Sequence, residues 1–209
     1  MKLTATPETE DFRGKYESGK IGQTLLNGYF KAVQQLVDQA KLPSSGGQVI
    51  EIGCGEGHST KRLRKFLPKG TAFEASEYVK KLLPIAKRHN PSLKISQESV
   101  YDLKHSGQSF DLVFLLEVME HLDYPKKGLA EIARVLKPGG HVIIGVPREP
   151  LWRALNMVRG SYWPSLGNTP GHLNHWSARS LSRFVEKNFG PVIARRQPLP
   201  WTIILAKKR

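Results

Sequence analysis

Between Val49 and Gly57 the chain reads VIEIGCGEG: an apolar run carrying one acid, Glu51, then glycines at 53, 55 and 57 with Cys54 among them. Glycines at alternate positions let a backbone turn sharply and approach a ligand with no Cβ in the way. A second acid, Glu74, ends the run TAFEA at roughly the 20-residue spacing of a carboxylate that accepts hydrogen bonds from ribose hydroxyls. The glycine spacing departs from the dinucleotide pattern GxGxxG, and a carboxylate at Glu51 is a poor neighbour for a pyrophosphate. It suits a cation. S-adenosylmethionine (SAM) carries a sulfonium and an ammonium and no phosphate, so an acidic turn favours it on electrostatic grounds. The alternative is a tight strand-to-helix turn without a ligand.

Three histidines are candidates for moving a proton: His121 in EVMEHL, and His172 and His175 in GNTPGHLNHW. Each also has a structural reading, as a helix-capping or loop-orienting ring for His121 and as a ring bonded to loop backbone for the other two. No metal site is expected, because His172 and His175 offer two ligands and the spacing shows no third. A single cysteine excludes a disulfide framework and a cysteine-based zinc site alike.

These residues need elements to hold them. Leu25, Leu26, Tyr29, Phe30, Val33, Leu36 and Val37 recur with helical periodicity, predicting a helix from about Gly22 to Ala40 that stops at Pro43. A regular alternation follows. Strands are predicted at 48–52, 71–75, 93–96, 110–116 and 141–146, and helices at 58–66, 77–88 (capped by Ser76) and 126–136. FDLVFLL is almost wholly apolar, as a central parallel strand should be. The pattern breaks at 147–176, a stretch rich in proline, glycine and tryptophan with one short helix at 151–158. A helix at 177–187 and strands at 191–195 and 201–206 close the chain. The expected fold is α/β, a doubly wound, mostly parallel Rossmann-like sheet with an antiparallel last strand and helices on both faces. The expected organisation is one domain: a helical cover (1–46), a ligand-binding core (47–147), a roof insert (148–176) and a closing helix and strands (177–209).

Length and composition agree with this. The chain has 209 residues, 39% of them hydrophobic, enough for one well-buried core. No apolar run approaches the ~20 residues of a membrane span, and MKLTATPETEDFRGKYE is too polar for a signal peptide, so the cytoplasm is the expected compartment. The net charge of +14 is spread over short runs such as KRLRK (61–65) and RR (195–196). It is read either as solvated helix faces or as a surface for nucleic acid, anionic lipid or an acidic substrate.

From Val49 to Pro147 the chain resembles the class I SAM-dependent methyltransferases, in particular the branch that includes ubiquinone and menaquinone biosynthesis enzymes. The motifs that carry the resemblance are VIEIGCGEG, AFEASE, SVYDL, FDLVFLLEVMEHL and ARVLKPGGHVIIGVP. The resemblance implies that Glu51, Gly53, Cys54, Gly55 and Gly57 form the turn around the amino-acid end of SAM. It implies Glu74 on the ribose, Ala75 against the adenine, and Ser99, Val100 and Tyr101 at the adenine edge. Ser99 stands where many relatives carry Asp. Leu116 and Glu117 would face the methionine part, and Lys15 and Tyr16 would belong to a segment folded over the cofactor.

Methyl transfer is an in-line displacement at an activated carbon, so the protein supplies mainly alignment, exclusion of water and a place for the acceptor's proton. His121, His172 and His175 are the residues implied for that last task. Trp152, Trp163, Trp176, Tyr162, Leu151, Leu155 and Met157 would line a greasy roof over a planar or lipid-like acceptor, or pack the roof onto the sheet. Arg148 and Arg153 could pair an anionic group. The leading expectation is a small-molecule methyltransferase acting on O or N, less readily C. A nucleic-acid methyltransferase is the charge-based alternative, though EVMEHL replaces the Asn/Asp-Pro-Pro-aromatic motif of amino-methylating enzymes and no RNA-binding module is visible. A non-catalytic SAM-binding protein is the third.

Overall fold

A computed structural model describes residues 19–43 and 47–209. Seven strands form one sheet in the order β3-β2-β1-β4-β5-β7-β6. They are β1 (Gln48–Ile52), β2 (Ala72–Glu77), β3 (Lys94–Gln97), β4 (Phe110–Leu116), β5 (Leu136–Pro147), β6 (Val192–Arg196) and β7 (Trp201–Lys207). The first five run parallel, and β7 pairs antiparallel with both β5 and β6. The α-helices among the described residues are α1 (Lys20–Ala40), α2 (His58–Leu63), α3 (Leu83–His89), α4 (Pro125–Val135), α5 (Leu151–Val158) and α6 (Ala178–Asn188).

Because successive strand residues face opposite ways, β4 serves two cores. Leu112 and Phe114 pack with Val33, Leu36 and Val37 of α1, whereas Val113 and Leu115 pack with Leu129 and Ile132 of α4 and Leu181 and Val185 of α6. The apolar stripe of α1 (Leu26, Tyr29, Phe30, Val33, Leu36, Val37, Ala40) is buried along its whole length, and the helix ends at Lys41 in the left-handed conformation. Ser177 caps α6 through a reciprocal box with Ser180. No described helix is long and apolar enough to cross a membrane.

Two expectations about the second strand need correcting. The strand runs two residues beyond 75, through Ser76 and Glu77, and Ser76 is a buried strand residue rather than a helix cap. Its backbone carbonyl accepts from the amides of Gly53 (2.8 Å) and Cys54 (3.0 Å), so the carboxyl end of β2 latches the glycine-rich turn. The following helix therefore starts later, as a 3-10 turn at Lys80–Leu82 leading into α3. The strand after α4 begins at Leu136, with KPGG inside it rather than before it.

Candidate active-site cleft

In an open parallel sheet, the crevice forms at the carboxyl ends of the strands where their order reverses, here between β1 and β4. A cavity of about 360 Å³ occupies that place. Its floor is the turn after β1. Gly53, Gly55 and Gly57 all hold positive φ, but for different reasons. A Cβ on Gly53 would overlap Val118 Cγ2, and one on Gly57 would stand 2.5 Å from Asn90 Nδ2. A Cβ on Gly55 meets nothing within 4 Å. Gly53, Cys54 and Gly55 line the cavity, whereas Gly57 is turned toward Asn90, whose amide donates to its carbonyl at 2.9 Å.

Of the two acids of β2, Glu77 lines the cavity and Glu74 does not. Glu74 lies mid-strand opposite Ile50, about 10 Å below Glu77 at ~3.3 Å per residue and on the other face of the sheet. There it pairs with Lys94 (2.6 Å) and His105 (3.6 Å). Ala75 is fully buried and does not reach the cavity. Glu77 stands at the strand's open end, its Oε2 accepting from the Gly55 amide and its Oε1 from the Val79 amide, both at 2.7 Å. Burial pushes its carboxyl above the usual range, against the pull of those amides. A carboxylate held by one backbone donor per oxygen keeps further lone pairs for a ligand diol. The signal was present in AFEASE, where the acid nearer the strand's carboxyl end is the second.

Glu51 is placed beneath the turn, not in the cavity wall. Thr60 donates its hydroxyl to it at 2.5 Å, and burial pushes its carboxyl up to about 7. Cys54 is buried, and burial together with Glu51 and Glu77 drives its thiol far above the ordinary range, which makes it inert as a nucleophile.

Ser99, Val100 and Tyr101 line one wall beside Tyr78, Val79 and Leu82. The Ser99 hydroxyl accepts from the Tyr101 amide within its own loop at 3.2 Å, and the Tyr101 hydroxyl accepts from the amide of Tyr124, the residue before α4, at 3.1 Å. Leu116 and Glu117 line the cavity at the end of β4. Glu117 adopts φ 56°, a conformation costing a non-glycine residue about 1–3 kcal/mol. It is held there by its amide bond to the Gly145 carbonyl (2.9 Å) and by Trp201, whose indole donates to its Oε2 at 3.1 Å.

Beyond Glu117 the cavity opens into an aromatic chamber. Leu26, Tyr29 and Phe30 come from α1, Trp152 and Asn156 from α5, Tyr162, Thr169 and His172 from the insert, and Trp201 from β7. The contributions of α1 and β7 escaped sequence reasoning, since their apolar spacing reads only as core. Burial and the carboxylates of Glu117, Glu120 and Glu51 hold the Tyr29 phenol well above its ordinary pKa. Among the expected roof residues Trp152 and Tyr162 do line the chamber. Trp163 is exposed and Trp176 packs on Phe184, away from the chamber. Leu151, Leu155 and Met157 lie outside the lining, as do Arg148 and Arg153, which bond Gln197 and the Leu166 carbonyl; Arg62 and Arg159 are the arginines that reach the wall.

His121 and His172 come together at the chamber, their rings 4.9 Å apart and edge-on. His121 Nδ1 is 3.0 Å from the Gly171 carbonyl, and His172 stacks on Trp152. His175 does not join them. It is exposed, and its Nε2 bonds Asn168 Oδ1 at 2.8 Å. With Glu120 the two inner histidines form a set whose ligand-type atoms all lie within 4.8 Å of one another. Glu120 and His172 are joined by folding, not by spacing along the chain. Lys15 and Tyr16 lie outside the described residues.

Fold and cleft together define an α/β protein of the Rossmann kind, with a cofactor-sized cavity at the switch point of its sheet. The chain belongs to the methyltransferase domain family, whose sequence pattern matches residues 25–190. It is 26% identical over 149 residues to a demethylmenaquinone methyltransferase of Paenarthrobacter aurescens, covering 70% of this chain and 57% of that one. It is 30% identical over 130 residues to a ubiquinone biosynthesis O-methyltransferase of Xanthomonas oryzae pv. oryzae, covering 59% and 53%. The chain thus spans little more than half the length of these relatives. A SAM-dependent methyltransferase structure from Aquifex aeolicus superposes with a TM-score of 0.64 at 17% identity, covering 84% of this chain and 89% of that one. The fold is that of the class I SAM-dependent methyltransferases.

Proposed function

We propose that the chain transfers the methyl group of SAM to an oxygen atom of a small, hydrophobic, aromatic acceptor of the phenol or quinol type, with nitrogen as the second choice of acceptor atom. The observation that carries this reading is the continuity of one cavity. A backbone-braced carboxylate and a Cβ-free turn stand at one end, and an aromatic chamber with two histidines stands at the other. The names of the matched relatives, which concern ubiquinone and demethylmenaquinone, fit a chamber of this lining.

In this reading Glu77 accepts the ribose hydroxyls, and the backbone at Cys54 and Gly55 approaches the amino-acid end. Val79, Leu82 and Val100 flank the adenine. Bound there, SAM supplies a methyl carbon already activated by its sulfonium. The chain's own residues then align and dry the acceptor; correct alignment alone can remove about 7–11 kcal/mol of barrier. Trp152, Trp201 and Tyr29 exclude water and flank an aromatic ring. His121, oriented by the contact of its Nδ1 with the Gly171 carbonyl, is the ring that takes the acceptor's hydroxyl proton.

The test is calorimetric titration with SAM, followed by transfer of labelled methyl from SAM to a panel of phenols, catechols and quinols. Saturable binding and label on a hydroxyl of a panel member are expected. Failure to bind SAM, or label appearing on RNA and on no panel member, overturns the proposal.

A further inference from the structure

We propose that Arg62 holds the carboxylate of the cofactor's amino-acid end and so distinguishes SAM from relatives that lack that carboxylate. The inference deepens the methyl-transfer reading and rests on it.

SAM brings a sulfonium, an ammonium and a carboxylate into the cleft, and only the last is negative. The cavity is lined by Glu56, Glu77, Glu98, Glu117 and Glu120, acids that suit the two cationic groups and repel the third. The glycine-rich turn offers the carboxylate little. The amides of Gly53 and Cys54 donate to the Ser76 carbonyl, that of Gly55 to Glu77 and that of Gly57 to the Cys54 carbonyl. Those four N–H groups are spent within the protein, so the negative charge has to be met by a side chain.

Arg62 is placed for that task. His58, Ser59 and Arg62 stand at i, i+1 and i+4 on the face of α2 that lines the cavity. About 6 Å of helical rise separates Arg62 from His58, and helical side chains lean toward the N-terminus, here toward the glycine-rich turn. His58 is itself engaged, its Nε2 3.2 Å from Glu56 Oε2 and its ring 4.4 Å from that of His89. Arg159, the other arginine of the lining, follows α5 in the roof.

The guanidinium of Arg62 is already positioned. It lies over the Phe30 ring, 4.9 Å from its centroid, and its Nη1 donates to Asn27 Oδ1 at 3.2 Å. Among the described residues it forms no ion pair with a carboxylate, so most of its five N–H donors are left for a ligand. A planar fork matches a carboxylate with two parallel bonds. Lys31 and Lys65 share an adjoining surface groove with Arg62 and Phe30, which makes this end of the cleft positive. The opposed charges of Arg62 and of the cavity's acids thus match the two signs that the cofactor carries.

The full chain is titrated by calorimetry with three probes. These are SAM, decarboxylated SAM, which keeps the sulfonium and a terminal ammonium, and 5′-methylthioadenosine, which lacks the amino-acid arm. Arg62→Gln is expected to weaken SAM by about 10- to 100-fold, the worth of a hydrogen-bonded charge, and to leave the other two probes within about threefold. Arg62→Lys, which keeps the charge and loses the fork, should fall between. Lys65→Gln, confined to the outer groove, should leave all three within about twofold. Unchanged SAM affinity in Arg62→Gln overturns the proposal. So does an equal loss for SAM and decarboxylated SAM, which would mark a general loosening of α2 against α1. In either case wild-type SAM binding keeps the methyl-transfer reading standing; a wild type that binds none of the three probes removes both.

Discussion

Replacing Glu77 by glutamine keeps the size of the side chain and removes its charge, and the structure gives the effect a direction. Both carboxylate oxygens already accept from backbone amides, Oε2 from Gly55 and Oε1 from Val79. A glutamine has only one acceptor oxygen, so its NH₂ must face one of those two N–H groups, donor against donor. One buried amide then loses its partner, and the remaining bond is no longer to a charge, a difference of about 1.5–3 kcal/mol. That loss falls on the turn and on the ligand diol together. SAM affinity should therefore drop by about 10- to 100-fold in Glu77→Gln, while Glu74→Gln, which touches Lys94 and His105 instead, should change it by less than about threefold. Isothermal calorimetry on the two variants and the wild type decides the matter, with a circular dichroism melt to check folding. If Glu74→Gln weakens binding as much as Glu77→Gln, the assignment of the strand's terminal acid to the ribose is wrong.

The glycines of the turn should separate in the same assays. Gly53→Ala combines a left-handed backbone with overlap on Val118 and should cost about 2–4 kcal/mol in urea unfolding, whereas Gly55→Ala should cost about 1 kcal/mol yet impair SAM binding. Equal losses of stability at the two positions would contradict this. Glu51 has its carboxyl raised to about 7 from an ordinary 4.5, so the folded state binds the extra proton, and stability should fall as pH rises between about 4.5 and 7, by on the order of 3 kcal/mol. Glu51→Gln should flatten that slope; an unchanged profile would mean that the carboxyl titrates normally. His121→Ala should lower kcat by about 10²- to 10⁴-fold. His175→Ala, on an exposed ring outside the cleft, should leave kcat within about twofold, and a loss comparable to that of His121→Ala would move the chemistry to the outer histidine.

Local periodicity carried most of the architecture. The alternation of apolar runs with helical stretches, the left-handed glycines after β1 and the stripe along α1 are properties of short segments, set by backbone sterics and by which face must leave water. For the same reason the turn at Gly53–Gly55 and the mouth of β4 at Leu116 and Glu117 were legible in the amino-acid order. What tertiary structure decided were distances across the chain. AFEASE contains two acids, and only the register of β2 against β1, with Ser76 tied to the turn, puts Glu77 at the open edge and Glu74 mid-strand. His172 and His175 are indistinguishable as loop histidines until the insert is zipped onto Glu120, which turns one ring inward beside His121 and leaves the other in solvent. Trp201 and Tyr29, apolar core residues by spacing, reach the chamber because β7 and α1 pack beside β5. Strand ends and inter-element contacts depend on the summed packing of the whole domain, which no window of neighbouring residues contains.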